Sequence, residues 1–119
     1  MQIKKEDFEE WLEKLKEESK EKVVLVEGIK DKKALESLGI KNIITLKKPL
    51  YAVAEQIQKT GKECIIMLDL DKEGKKLYSK INSYLSQLGV KIDNSFRDFL
   101  FKTKLRQIEG IDSYIEKLS

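Results

Sequence analysis

Val23-Val24-Leu25-Val26-Glu27-Gly28 and Ile65-Ile66-Met67-Leu68-Asp69-Leu70-Asp71 decide the fold: two apolar runs, each closing in a turn that carries acid. Val23 to Val26 is apolar at every position and holds three β-branched valines, as a central parallel strand needs when helices cover both its faces. Ligands of parallel sheets bind beyond the carboxyl ends of the strands, where Glu27, Asp69 and Asp71 fall. Carboxylates on two such ends can meet at one point and hold a divalent cation.

Working outward, Phe8, Trp11, Leu12 and Leu15 recur at helical spacing and predict an amphipathic helix from about Lys5 to Ser19. After Gly28, Asp31 is placed to cap a short helix running to Leu38 and ended by Gly39. Asn42 to Leu46 reads as a second strand. Pro49 opens a third helix with Leu50, Val53, Ala54 and Ile57 on one face, ended by Gly61. Ile65 to Leu68 is the next strand. Leu77, Ile81, Tyr84, Leu85 and Leu88 then form the strongest helical stripe, closed by Gly89, and Val90-Lys91-Ile92 reads as a fourth strand. Strands alternating with helices predict a three-layer α/β/α fold around a mainly parallel sheet of about four strands. The tail from Asn94 to Ser119 is less regular until Ile111, Tyr114, Ile115 and Leu118 mark a closing helix.

A chain of 119 residues fits one domain, residues 1–119, with a core at about 22–93, an N-terminal helix at about 5–19 and a C-terminal extension at about 94–119. With 40% apolar and 38% charged residues it reads as globular, and no apolar stretch approaches the ~20 residues that span a bilayer. Lys4 and Lys5 precede no apolar signal region, so the expected location is the cytoplasm. The one cysteine, Cys64, begins an apolar strand and reads as a small core residue. There is no histidine, which removes imidazole from every catalytic or metal-binding scheme and leaves carboxylates, lysines, arginines, hydroxyls or a bound metal. A net charge of +3 argues for nucleic acid only where it is clustered. Lys47-Lys48, Lys72, Lys75-Lys76, Arg97, Lys102, Lys104 and Arg106 are such clusters, against the plainer reading that they solvate a small protein.

Asp69-Leu70-Asp71-Lys72-Glu73-Gly74 opens like a calcium-binding loop, but its twelfth position is Lys80 where a bidentate glutamate belongs, and a strand precedes it. Aspartyl-phosphate phosphatases share only the aspartate-x-aspartate and place a threonine shortly after, where this chain has Glu73. Both turns together resemble the Toprim domain of topoisomerases, bacterial-type primases, old-family nucleases, recombination-repair proteins and the maturation nuclease of 5S ribosomal RNA. The resemblance rests on an apolar strand with Glu27-Gly28, Asp31 four residues after the glutamate, and a later strand with Asp69-x-Asp71 and Gly74. It spans Val23 to about Ile92 and implies a Rossmann-like fold.

The resemblance also implies roles: Glu27 as general acid or base and metal ligand, Asp69 and Asp71 as ligands of magnesium, with manganese as substitute, and Gly28, Asp31 and Gly74 as supporting motif. The implied partner is RNA or DNA and the implied activity nuclease-like, with Lys30, Lys72, Lys75, Lys76, Arg97 and Arg106 as candidate phosphate contacts. Ile29 departs from the basic or aromatic residue that many family nucleases carry two places after the glutamate. The rival reading is a non-catalytic nucleic-acid or protein binding module that keeps the metal site. Phe96, Phe99 and Phe101 offer apolar surface for self-association or a protein partner, against the commoner fate of core packing.

Overall fold

A computed structural model describes residues 3–118; Met1, Gln2 and Ser119, which the one-domain reading includes, lie outside the described residues. The elements in chain order are α1 (Lys5–Glu18), β1 (Val23–Val26), α2 (Ile29–Ser37), β2 (Ile43–Thr45), α3 (Leu50–Thr60), β3 (Cys64–Ile66), α4 (Lys72–Gln87), β4 (Ile92–Asp93), α5 (Ser95–Phe101), a 3-10 turn (Ile108–Gly110) and α6 (Ile111–Lys117). The strands form one all-parallel sheet in the order β2-β1-β3-β4. This is the three-layer arrangement that the alternation of elements predicts, and the Rossmann-like fold that the family resemblance implies.

Period-two alternation along the strands sorts the core into two halves. Val24, Val26, Ile65 and Met67 face α1, α2, α5 and α6, while Val23, Leu25, Cys64, Ile66 and Leu68 face α3 and α4. Every residue of β1 and β3 is buried, which is why neither strand shows a polar face in the sequence. Cys64 is fully buried, and burial pushes its thiol up to about 12, the inert state expected of a core cysteine. Phe8, Trp11 and Phe99 pack edge to face or stacked, and the Trp11 indole donates to the Phe96 carbonyl at 3.1 Å.

Several boundaries differ from the sequence reading. β3 pairs only over Cys64–Ile66, although the Met67 amide still donates to the Leu25 carbonyl at 2.7 Å before the chain leaves the ladder. Val90 is spent closing α4, its amide donating to the Leu85 carbonyl, so β4 begins at Ile92. Tyr84, read as part of the buried stripe of α4, is 40% exposed. The segment Ser95–Phe101 is a helix rather than irregular chain, with Phe96 and Leu100 in the core and Phe99 and Phe101 half-buried against it. Those phenylalanines pack in or against the core, the commoner of the two fates weighed for them.

At the amino ends of β1 and β3 the Lys22 ammonium is ringed by acids: it bonds Glu18, Glu63 at 2.7 Å and Asp93 at 3.1 Å. Burial works against its charge, but the three carboxylates outweigh it and raise the ammonium above its ordinary range. No helix among the described residues is long and apolar enough to cross a membrane.

Candidate metal centre

The strand order reverses direction at β1, so β1 and β3 are neighbours whose crossovers leave on opposite faces of the sheet. A crevice opens at such a switch point beyond the strand ends. Glu27 follows β1 directly and Asp69 follows the run out of β3, so both reach that crevice.

Asp31 joins them. It is the third residue of α2, and its Oδ2 accepts from the Gly28 amide at 3.1 Å, so it caps the helix by reaching back rather than by standing at its start. The side chain is buried, at 7% exposure, and one carboxylate oxygen from each of Glu27, Asp31 and Asp69 lies within 4.8 Å of the others. These three acids surround a cavity of about 340 Å³ that Gly28, Lys30 and Glu109 also line. Burial raises the Glu27 carboxyl above its ordinary range, and the charges of Asp69, Asp31 and Asp71 raise it further. Asp69 and Asp31 are likewise raised, burial first, although amides of Ile108 and Gly28 pull the other way. Three carboxylates held this close repel one another, and a cation among them relieves all three. The donors are hard oxygens without nitrogen or sulfur, which fits a hard divalent cation.

Asp71 stands apart from that group. It is the N-cap of α4, its Oδ1 accepting from the Gly74 amide at 2.8 Å, and it faces a neighbouring cleft while its charge still bears on Glu27 and Asp69. The grouped acids are therefore Glu27, Asp31 and Asp69, one member different from the sequence-derived set. Gly74 has a steric reason: a Cβ there would lie 2.0 Å from the Asp69 carbonyl oxygen, so only glycine lets α4 start against the acidic turn. Gly28 is different, since a Cβ there meets nothing within 4 Å and its φ of −142° is open to any residue.

The basic residues divide. Lys30 is exposed at the cavity mouth, and Lys72, Lys75 and Lys76 are exposed on the first turns of α4, with Lys76 paired to Glu73 at 3.7 Å. Arg106 is exposed beside Asp71. Arg97 is not a surface charge: it is 5% exposed, and its Nη2 donates to the Asp69 carbonyl at 3.0 Å and its Nε to the Leu68 carbonyl at 3.4 Å. Its guanidinium lies between the Tyr78 and Phe101 rings, 4.3 and 4.9 Å from their centroids. A side chain so enclosed pins the acidic turn from behind, and its expected place among the phosphate contacts is withdrawn.

The sequence reading also missed the C-terminal contribution. The Ile108 amide donates to Asp69 Oδ1 at 2.8 Å, the Leu70 amide donates to the Arg106 carbonyl at 2.7 Å, and Glu109 brings a further acid to the cavity. The one local signal was an acid before a glycine, Glu109-Gly110, just ahead of the last apolar stripe.

The Toprim domain model matches residues 22–99, and the chain belongs to the Toprim domain family. Its acidic crevice thus stands on a metal-binding fold associated with nucleic acids. More particularly, the chain is 35% identical to a UPF0292 protein of Methanocaldococcus jannaschii, over 91% of this chain and 89% of that one. It is 32% identical to a UPF0292 protein of Methanosarcina acetivorans, over 95% of this chain and 83% of that one. A solved structure described as a putative protein from Aquifex aeolicus superposes with a TM-score of 0.79 at 40% identity, covering 85% of this chain and 94% of that one.

Proposed function

We propose that the chain binds magnesium in the crevice between β1 and β3 and hydrolyses phosphodiesters of RNA or DNA. The observation that carries this reading is the meeting of Glu27, Asp31 and Asp69 within 4.8 Å at the switch point of a Toprim sheet. Asp69 and Glu27, with Asp31 behind them and Asp71 at the margin, are the groups to hold the ion. Magnesium there would neutralise charge on the phosphoryl oxygens and order a water. Glu27 is the proton carrier, because its raised carboxyl sits nearer to working pH than an ordinary glutamate. It takes a proton from the attacking water as the new phosphorus–oxygen bond forms, and returns it to the ester oxygen that leaves. Lys30, exposed at the cavity mouth, and the exposed Lys72, Lys75 and Lys76, following the aspartates in sequence, would contact flanking phosphates.

The test is a manganese titration followed by amide NMR, then a cleavage screen on labelled RNA and DNA. The expected result is broadening centred on residues 27–31 and 69, lost in Asp69→Asn, with metal-dependent cleavage lost in Glu27→Gln. Diffuse broadening over all surface acids would refute the metal site. A localised site with strand binding but no cleavage would replace the nuclease by a non-catalytic module.

A further inference from the structure

Beside the acidic crevice, the C-terminal extension forms a second cleft, of about 360 Å³, along which Asp71, Lys104, Arg106, Gln107, Ser113 and Lys117 are arrayed. We propose that this cleft binds the phosphate and sugar of one nucleotide of a single nucleic-acid strand, next to the nucleotide at the acidic crevice. The inference rests on the nucleic-acid reading above and names the path of the strand.

The cleft carries three cations against the single carboxylate of Asp71, and among the described residues none of the three is paired with an acid within 4 Å. Its size is at the low end of the ~300–1,000 Å³ that receives a compact ligand, which suits one nucleotide and not a duplex. Leu105 and Tyr114, whose ring packs against Phe8, give the lining an apolar part, and Gln107 and Ser113 add neutral donors. Phosphate, sugar and base need that mixture of cation, neutral donor and flat apolar surface.

The wall is also fixed in advance. Arg106 Nη1 donates to the Thr103 and Leu105 carbonyls at 2.8 and 2.7 Å, which anchors the side chain and leaves its other N–H groups for a phosphate. Thr103 is itself buried and bonded to the Leu100 carbonyl and the Leu105 amide. The Leu70 amide bond to the Arg106 carbonyl and the Ile108 amide bond to Asp69 hold cleft and crevice to the same turn. Asp69 opens on one side and Asp71 on the other, two residues apart, so at most ~7 Å of extended chain separates them. Neighbouring phosphates of one strand can occupy both.

The test uses the full chain, nitrogen-15 labelled, titrated with a 5′-phosphorylated single-stranded dT hexamer, its RNA counterpart, and a free mononucleotide. The expected result is shifts at amides 104–107, 110 and 113, with either hexamer bound at least tenfold tighter than the mononucleotide. In Lys104→Ala/Lys117→Ala, whose exposed positions leave the fold intact, affinity should fall about tenfold, and the slope of log affinity against log salt should shrink by ~1.4 for two lost phosphate contacts. Hexamer binding unchanged by that pair, or by the charge-reversed Lys104→Glu/Lys117→Glu, overturns the cleft and leaves the nuclease reading standing. Mononucleotide binding as tight as the hexamer overturns the strand path. A hexamer that shifts no amide overturns the cleft outright, whereas cleft binding without metal-dependent cleavage upholds it and sinks only the nuclease.

Discussion

Two glycines flank the acids, and sterics demand only one of them. Gly74→Ala drives a Cβ to 2.0 Å from a backbone oxygen, so it should cost ~3 kcal/mol or more in urea unfolding and displace Asp69. Gly28→Ala meets nothing and should leave stability within ~0.5 kcal/mol, so any loss of metal or strand binding it causes reports on ligand approach. Glu27 gives the pH prediction. Its folded carboxyl lies above its ordinary 4.5, so the fold favours the protonated form: the group is harmless below about pH 4 and destabilising once pH has risen through the raised value. With chelator present, Glu27→Gln should therefore melt with wild type near pH 4 and above it near pH 7, which scanning calorimetry at several pH values measures. Glu27 and Asp69 were legible because each ends an apolar run. Asp31 was legible as a cap but not as a buried third acid, because burial depends on what the distant C-terminal turn lays over it.

Among the elements, α5 was the hardest to read and holds the most consequential side chain. Its seven residues make two turns, too short for a periodic stripe, and Phe96, Phe99 and Phe101 stood open between core packing and surface because nothing local shows α1 lying against Phe96 and Phe99. The long stripes of α1 and α4 and the valine run of β1 were read with correct type because each is buried by a single contiguous pattern. Arg97 looked like one more cation in a basic tail; only the tertiary fold turns it inward. Arg97→Met keeps the stem but strips the donors from the Leu68 and Asp69 carbonyls, and should cost ~2–3 kcal/mol in chemical denaturation. Arg97→Lys should recover little of this, since an ammonium cannot lie flat between two rings while reaching both carbonyls. Both variants should also weaken manganese broadening at Asp69.

Across the whole molecule, the C-terminal extension is a wall of the core and of the site together. Leu105, Ile108 and Ile111 are buried in the half of the core that faces α1 and α2, and the same segment donates to Asp69. A chain ended at Lys102 should lose both, giving collapsed amide dispersion and no cooperative melt, where removal of a mere appendage would leave the spectrum of the rest unchanged. The sheet also answers its own electrostatic question at its far end. There, Glu18, Glu63 and Asp93 are reconciled by Lys22, an ion the chain carries covalently and cannot lose. At the near end, Glu27, Asp31 and Asp69 have no such tethered ion among the described residues. On the metal reading the protein is thus a rod with one soldered terminal and one socket. Dilution or chelation should loosen it from the socket end alone, with hydrogen exchange quickening at residues 27–31 and 106–110 while the amides around Lys22 keep their pace.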